Sequence, residues 1–282
     1  MDSTRTDRFL AATRGADHEV DLFGGAMIIA SLGDHDPSPH AVARELDLIA
    51  DAVRAYAGDT TDAERLAGAI DYQLFAVLGF HGNTADYAEA ENSYLDQVIQ
   101  RRLGLPITLS LLYMEVAQRV GLLCEGVGYP GHFIVRCGGP AAPIYIDPFH
   151  QGARLDREEL LAGLRSYNLS GANPESFIAA VTRRQLLQRM LLNLHVVFRE
   201  QRDISRWRSV VDLLLCLEPW NATLIGERGM LHYRLGDSQA ALADLERYVE
   251  ATGAGFAPPG ALRLLDELRA HDLGLDKEVQ DD

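Results

Sequence analysis

Cysteine is scarce in this chain, with three in 282 residues: Cys124, Cys137 and Cys216. An odd set without C-x-x-C spacing makes neither a disulfide framework nor a zinc site, and it points to a reducing compartment. Basic residues are also in deficit. There are 26 Lys and Arg against 41 Asp and Glu, giving a formal charge of −15 and a pI near 5.0. Such a balance repels phosphate backbones and anionic lipid, so nucleic acid and membrane are excluded as expected partners. Long apolar runs are missing too. No stretch approaches the roughly 18 residues of a membrane span. The first twenty residues, MDSTRTDRFLAATRGADHEV, hold no apolar block ahead of a small-residue cleavage site, so the expected location is the cytoplasm.

What is present is a folded composition, 47% hydrophobic, long enough for one large or two modest domains. Residues 1–20 are polar and aperiodic and read as a disordered tail. Helices are expected from Leu22 to Leu32, around Val42 to Val53, from Asp62 to Leu78, and briefly near Tyr94 to Ile99. Residues 106–121 read as a buried helix, with Pro106 at its first position and Gly121 at its stop. Three short strands follow, Glu125–Tyr129, His132–Cys137 and Pro143–Asp147, separated by Pro130-Gly131 and Gly138-Gly139-Pro140. From Pro174 onward the pattern is helical throughout. The expected fold class is α+β with a small antiparallel sheet over residues 21–175, then an all-α domain over 176–275.

A 34-residue frame laid over 222–255 places Gly229, Ala241, Leu245 and Tyr248 where a tetratricopeptide repeat sets its packing residues. The preceding frame, 188–221, fits less well, because His195 and Trp207 stand where small residues are usual. Such helices predict a protein or peptide partner.

The chemistry concentrates between Asn92 and Leu155. A helix opens after Gly104-Leu105, one strand carries His132, and another ends in Asp147-Pro148-Phe149. Fifteen residues between histidine and aspartate fit a strand, a turn and a returning strand, which sets the two side chains side by side. That is the arrangement of a general base and the carboxylate that orients it. His150 could join them in a metal site, but three local donors without a fourth make a weak one, and no metal or other cofactor is expected.

The runs ENSYLDQVIQRRLGLPITLSLLYMEVAQRVGL, EGVGYPGHFIVR and YIDPFHQG resemble the SirB-type bacterial family, which joins a transglutaminase-like (papain-like) domain to tetratricopeptide repeats. The resemblance implies a Cys-His-Asp triad. His132 and Asp147 match its last two members, whereas Pro106 occupies the position of the attacking cysteine. Proline has no nucleophile and its ring fills the space a thiolate needs. The degenerate triad implies a non-catalytic binding or scaffold protein. The rival is an acyl-transfer enzyme or amide/ester hydrolase using Ser110 or Thr108, which lie about 40° and 200° around the helix from position 106.

Other polar residues in this segment are candidate binding groups. Asn92 could cap the short helix, and Arg101 and Arg102 could anchor a carboxylate of the chain or of a ligand. Thr108 suits a hydrogen bond at the helix terminus, and Glu115 has an i,i+4 partner in Arg119.

Overall fold

The computed structural model describes residues 3–167, 171, 173–253 and 255–272. The chain forms two compact units, Ala12–Asn193 and a second comprising Met1–Ala11 with Leu194–Asp282. The division falls inside a helix, after Asn193, rather than at the change of pattern near residue 175. Its physical reason is that the first turns of that helix pack into the first unit, where Leu187 lies against Gly25 so closely that a Cβ there would meet it at 2.7 Å.

The expectation of a disordered 1–20 tail is corrected for residues 3–20; residues 1 and 2 lie outside the described residues. Ser3–Ala12 is helix α1, in which Phe9 is fully buried, and Val20 is buried as well. Residues 13–20 are held by charge from far along the sequence. Arg184 donates through Nε to the Thr13 carbonyl at 3.1 Å, and the Asp17 carboxylate accepts from the Arg183 amide at 3.1 Å.

In the first unit, α3 (Pro39–Ala57), α4 (Ala63–Asp71) and α5 (Leu95–Arg101) pack on α6 (Pro106–Arg119), and α2 (Leu22–Ala30) packs on α5. Both α2 and α3 begin as their sequences direct, with Asp21 and Ser38 accepting from the amides of Gly24 and Ala41. The helix expected to reach Leu78 changes character at Tyr72, where Tyr72–Val77 winds as a π-helix. Helix α6 is the core of the unit. Leu109, Leu111, Leu112, Tyr113, Val116 and Ala117 are all but fully buried, each large side chain contributing roughly 1.5–3 kcal/mol through burial. The helix ends at Gly121, whose φ of +78° suits a residue without Cβ.

Two sheets flank this helix. Strand β1 (His81–Gly82) pairs in parallel with β2 (Leu103–Gly104). Strands β3 (Cys124–Val127), β4 (Ile134–Cys137), β5 (Ile144–Asp147) and β6 (Ala153–Leu155) form an antiparallel meander in sequence order. Register is fixed by Val127 opposite Ile134 and Val135 opposite Ile146, all fully buried. The fourth strand was not among those expected. His132 sits two residues before β4 rather than within it. Helices α7 (Arg157–Gly163) and α8 (Arg183–Gln201) follow.

In the second unit, α9 (Ile204–Leu217), α10 (Ala222–Arg234), α11 (Ser238–Thr252) and α12 (Pro259–Asp272) form an all-helical region, as expected for this half; the end of the anticipated domain, at residue 275, lies outside the described residues. The tetratricopeptide frame explains the closeness of α10 and α11. A Cβ on Gly229 would meet Leu245 at 3.0 Å, and one on Gly226 would meet Tyr248 at 2.9 Å. The two oversized residues of the earlier frame, His195 and Trp207, both bond to Oε1 of Glu227, at 2.8 and 2.9 Å. Buried Arg228 ties three helices together, donating to Asp244 through Nε and Nη2 and to Asp212 through Nη1.

Candidate functional site

The site is assembled where β1, β2, the start of α6 and the end of β5 meet. Strand β2 delivers the chain to Leu105 and Pro106, and its register with β1 places Gly82 opposite Gly104. Gly82 in turn lies under Phe149. A Cβ on Gly82 would meet that ring at 2.4 Å, and its amide donates to the Phe149 carbonyl at 3.2 Å. Only glycine permits this approach, which fixes the turn after Asp147 against the strand pair that opens α6.

Asp147 closes β5 and is 4% exposed. Its Oδ1 accepts from the backbone amides of Phe149 and His150 at 3.0 and 3.2 Å. Its Oδ2 meets His132 Nε2 and His150 Nδ1, each at 2.7 Å. Burial pushes the Asp147 carboxyl up, but the two imidazole hydrogen bonds outweigh it and hold the group below its ordinary value. An ionised carboxylate only accepts, so both of those ring nitrogens carry protons. In neutral His132 the lone pair is then on Nδ1, the nitrogen turned away from Asp147 and the one able to act as a base.

His132, Asp147 and His150 offer one ligand atom each within 4.8 Å of one another, a donor set of the kind that holds zinc. Both oxygens of Asp147 already accept hydrogen bonds within this cluster.

His132 lines a cavity of about 290 Å³ whose wall also includes Pro106, Ile107, Tyr129, Phe133 and Arg189. The pyrrolidine ring of Pro106 therefore faces the same space as the imidazole. Neither hydroxyl proposed as a substitute nucleophile joins them. Thr108 is fully buried, its Oγ1 accepting from the Leu105 amide at 3.0 Å and donating to the Asn92 carbonyl at 2.7 Å. It pins the helix terminus, as its position suggested. Ser110 is fully buried, its Oγ without a hydrogen-bond partner among the described residues, and it does not line the cavity.

The remaining candidate binding residues are occupied within the chain. Asn92 is fully buried and does not cap α5. Its amide donates to the Asp86 carbonyl at 2.8 Å and its Oδ1 accepts from Asn83 at 3.0 Å, closing the 83–92 loop. Arg101 pairs with Glu89, and Arg102 donates to the Leu78 carbonyl with its guanidinium 5.6 Å from the Phe80 ring centre. Neither lines the cavity. Glu115 pairs with Arg119 at 2.7 Å; burial raises its carboxyl, with Arg119 opposing. Sequence reasoning missed Arg189, Tyr129 and Phe133: the two aromatic residues lie in the β3–β4 connection on either side of Pro130-Gly131, and Arg189 comes from α8, outside any motif.

The cysteines form no thiolate site. Cys124 and Cys137 face each other across β3 and β4 with sulfurs 2.7 Å apart, and burial pushes the Cys124 thiol well above its ordinary value. Burial and the Asp212 carboxylate raise Cys216 to about 11.

An imidazole and a carboxylate on neighbouring strand ends, beside a buried helix and followed by paired helices, define an α+β transglutaminase-like domain joined to a tetratricopeptide region. The sequence comparisons carry this further. The transglutaminase-like superfamily matches residues 40–192 and the tetratricopeptide repeat matches 194–266. The chain belongs to the transglutaminase-like superfamily and, within it, to the UPF0162 proteins. It is 34% identical to a UPF0162 protein of Xylella fastidiosa over 83% of this chain and 85% of that one. A UPF0162 protein of Pseudomonas aeruginosa is 30% identical over 80% and 83%. Mouse F-box only protein 21 is 34% identical over 60% of this chain but only 28% of its own length. No solved structure matches.

Proposed function

We propose that this chain is a non-catalytic, SirB-type binding or scaffold protein of the cytoplasm. In this reading the transglutaminase-like cleft keeps its base and orienting carboxylate and binds an acyl or amide group without turning it over. The observation that carries it is Pro106 in the cavity wall shared with His132, at the position where the family resemblance calls for a thiol. Among the described residues the cavity wall holds no cysteine, serine or threonine, so the free lone pair of the imidazole has no such nucleophile to activate. Asp147 then serves to fix the turn and the imidazole rather than to sustain turnover. The tetratricopeptide helices receive a protein or peptide partner, and the few repeats present offer a short surface for it.

The test is incubation of the purified full chain with generic amide, ester and amine-acceptor substrates, beside His132→Ala. The expected result is no turnover above background in either protein. Turnover that disappears in a folded His132→Ala variant overturns the reading.

A further inference from the structure

Arg189 is the feature of the cavity that the non-catalytic reading leaves unused. It reaches the cavity from the first turns of α8, and its guanidinium carbon lies 5.7 Å from the centre of the Phe133 ring. The backbone has been thinned to admit it: a Cβ on Gly128 would meet Nη1 at 2.5 Å. In a chain of formal charge −15, no carboxylate among the described residues pairs with this guanidinium. Burial alone lowers its affinity for a proton, with no acidic neighbour opposing. A half-buried, desolvated arginine left without an anion is costly to keep unless something supplies one.

The rest of the wall describes what that anion is attached to. Tyr87, Pro106, Ile107, Tyr129, Phe133 and Leu192 are apolar or aromatic, and His132 and Asn193 add hydrogen-bonding groups to the same wall. About 290 Å³ holds one or two residues of a peptide, not a folded surface. We infer that this cavity binds a carboxylate joined to an apolar or aromatic body, with Arg189 as the anion-binding residue and the Pro106 side of the cavity as the apolar seat. The inference rests on the binding reading above and names the class of ligand for that cleft. A peptide C-terminus and a small free acid share this chemistry.

The experiment uses the full chain and a fluorescein-labelled peptide ending Gly-Gly-Leu-Phe, prepared as the free acid and as the C-terminal amide, with binding read by fluorescence anisotropy. The free acid is expected to bind about tenfold or more tightly than the amide. Arg189→Gln should erase that preference, Arg189→Lys should retain part of it, and Gly128→Ala, which displaces the guanidinium, should weaken it. Melting curves of the variants exclude unfolding as the cause. Displacement of the peptide by 3-phenylpropionate at comparable concentration assigns the cavity to free acids, and failure to displace assigns it to peptide ends; both support the carboxylate assignment. Equal binding of acid and amide, no binding of either, or an acid preference that survives Arg189→Gln overturns it. Cleavage of the amide probe by the wild-type chain sinks the non-catalytic reading instead, so the two failures are distinct.

Discussion

Replacing Asp147 separates the parts its two oxygens play. In Asp147→Ala four accepted hydrogen bonds vanish at once, two from backbone amides and two from imidazoles. At about 1–1.5 kcal/mol for each bond to the carboxylate, discounted for the exposed His150, the loss is about 4 kcal/mol. Asp147→Asn differs. Its carbonyl can keep the two backbone amides, and its amide can donate to His132 after a tautomer change, so the loss is about 1–2 kcal/mol. The native carboxyl sits below its ordinary value, so its stabilising contribution is complete above the unfolded-state value near pH 4. That contribution fades as pH falls through the lower folded-state value, so the gap between wild type and Asp147→Asn should narrow in acid. Urea unfolding followed by circular dichroism at several pH values measures each difference. Equal losses in the two variants, or a gap that widens in acid, would refute this account of the turn.

Asp71 gives a pH dependence of the opposite sign. Burial raises its carboxyl from 3.8 to about 6, against Arg154 and the Tyr113 hydroxyl, which donates to it at 3.0 Å. The folded chain holds this proton more tightly than the unfolded one, so stability falls as pH rises from about 4 through 6. The difference corresponds to about 3 kcal/mol. Asp71→Asn should therefore stabilise the chain above pH 6 by up to about 3 kcal/mol, the Arg154 pair at 2.9 Å being already contained in that net shift, and much less at pH 4; thermal melts at both pH values check it. The native thiols should resist iodoacetamide at pH 7.5 in the folded chain and react after denaturation, since Cys124 and Cys216 are both shifted up. Rapid alkylation of one folded-state cysteine, seen by peptide mass spectrometry, would contradict that.

The parts of this structure legible in sequence are those whose causes are local. Helix α6 announces itself through Pro106, an apolar interior and Gly121, and the His132 to Asp147 spacing encodes a hairpin whose geometry brings the two side chains to 2.7 Å. Strand β6 escaped because three residues, Ala153-Arg154-Leu155, carry no alternation or β-branched signal, and its pairing with β5 defines it. The first twenty residues were misread because their anchors, Arg183 and Arg184, lie more than 160 residues away. The same blindness made Asn92 and Arg101 look available for ligands. Each bonds to a partner on the 83–92 loop that only the folded chain brings near. Arg189 is the converse, an ordinary helix-surface residue in sequence that becomes part of a cavity wall by packing against Gly128 and Phe133 in the folded chain.

The central claim, a base in place with nothing to activate, is tested most directly by acylation with p-nitrophenyl acetate, read by intact mass and by the burst of nitrophenol. The wild-type chain should show neither burst nor added acetyl mass on any side chain near His132. Pro106→Cys, which returns a thiol to a helix N-terminus beside the imidazole, should give a burst approaching one equivalent that disappears when His132→Ala is added. A wild-type burst that depends on His132 would contradict the account.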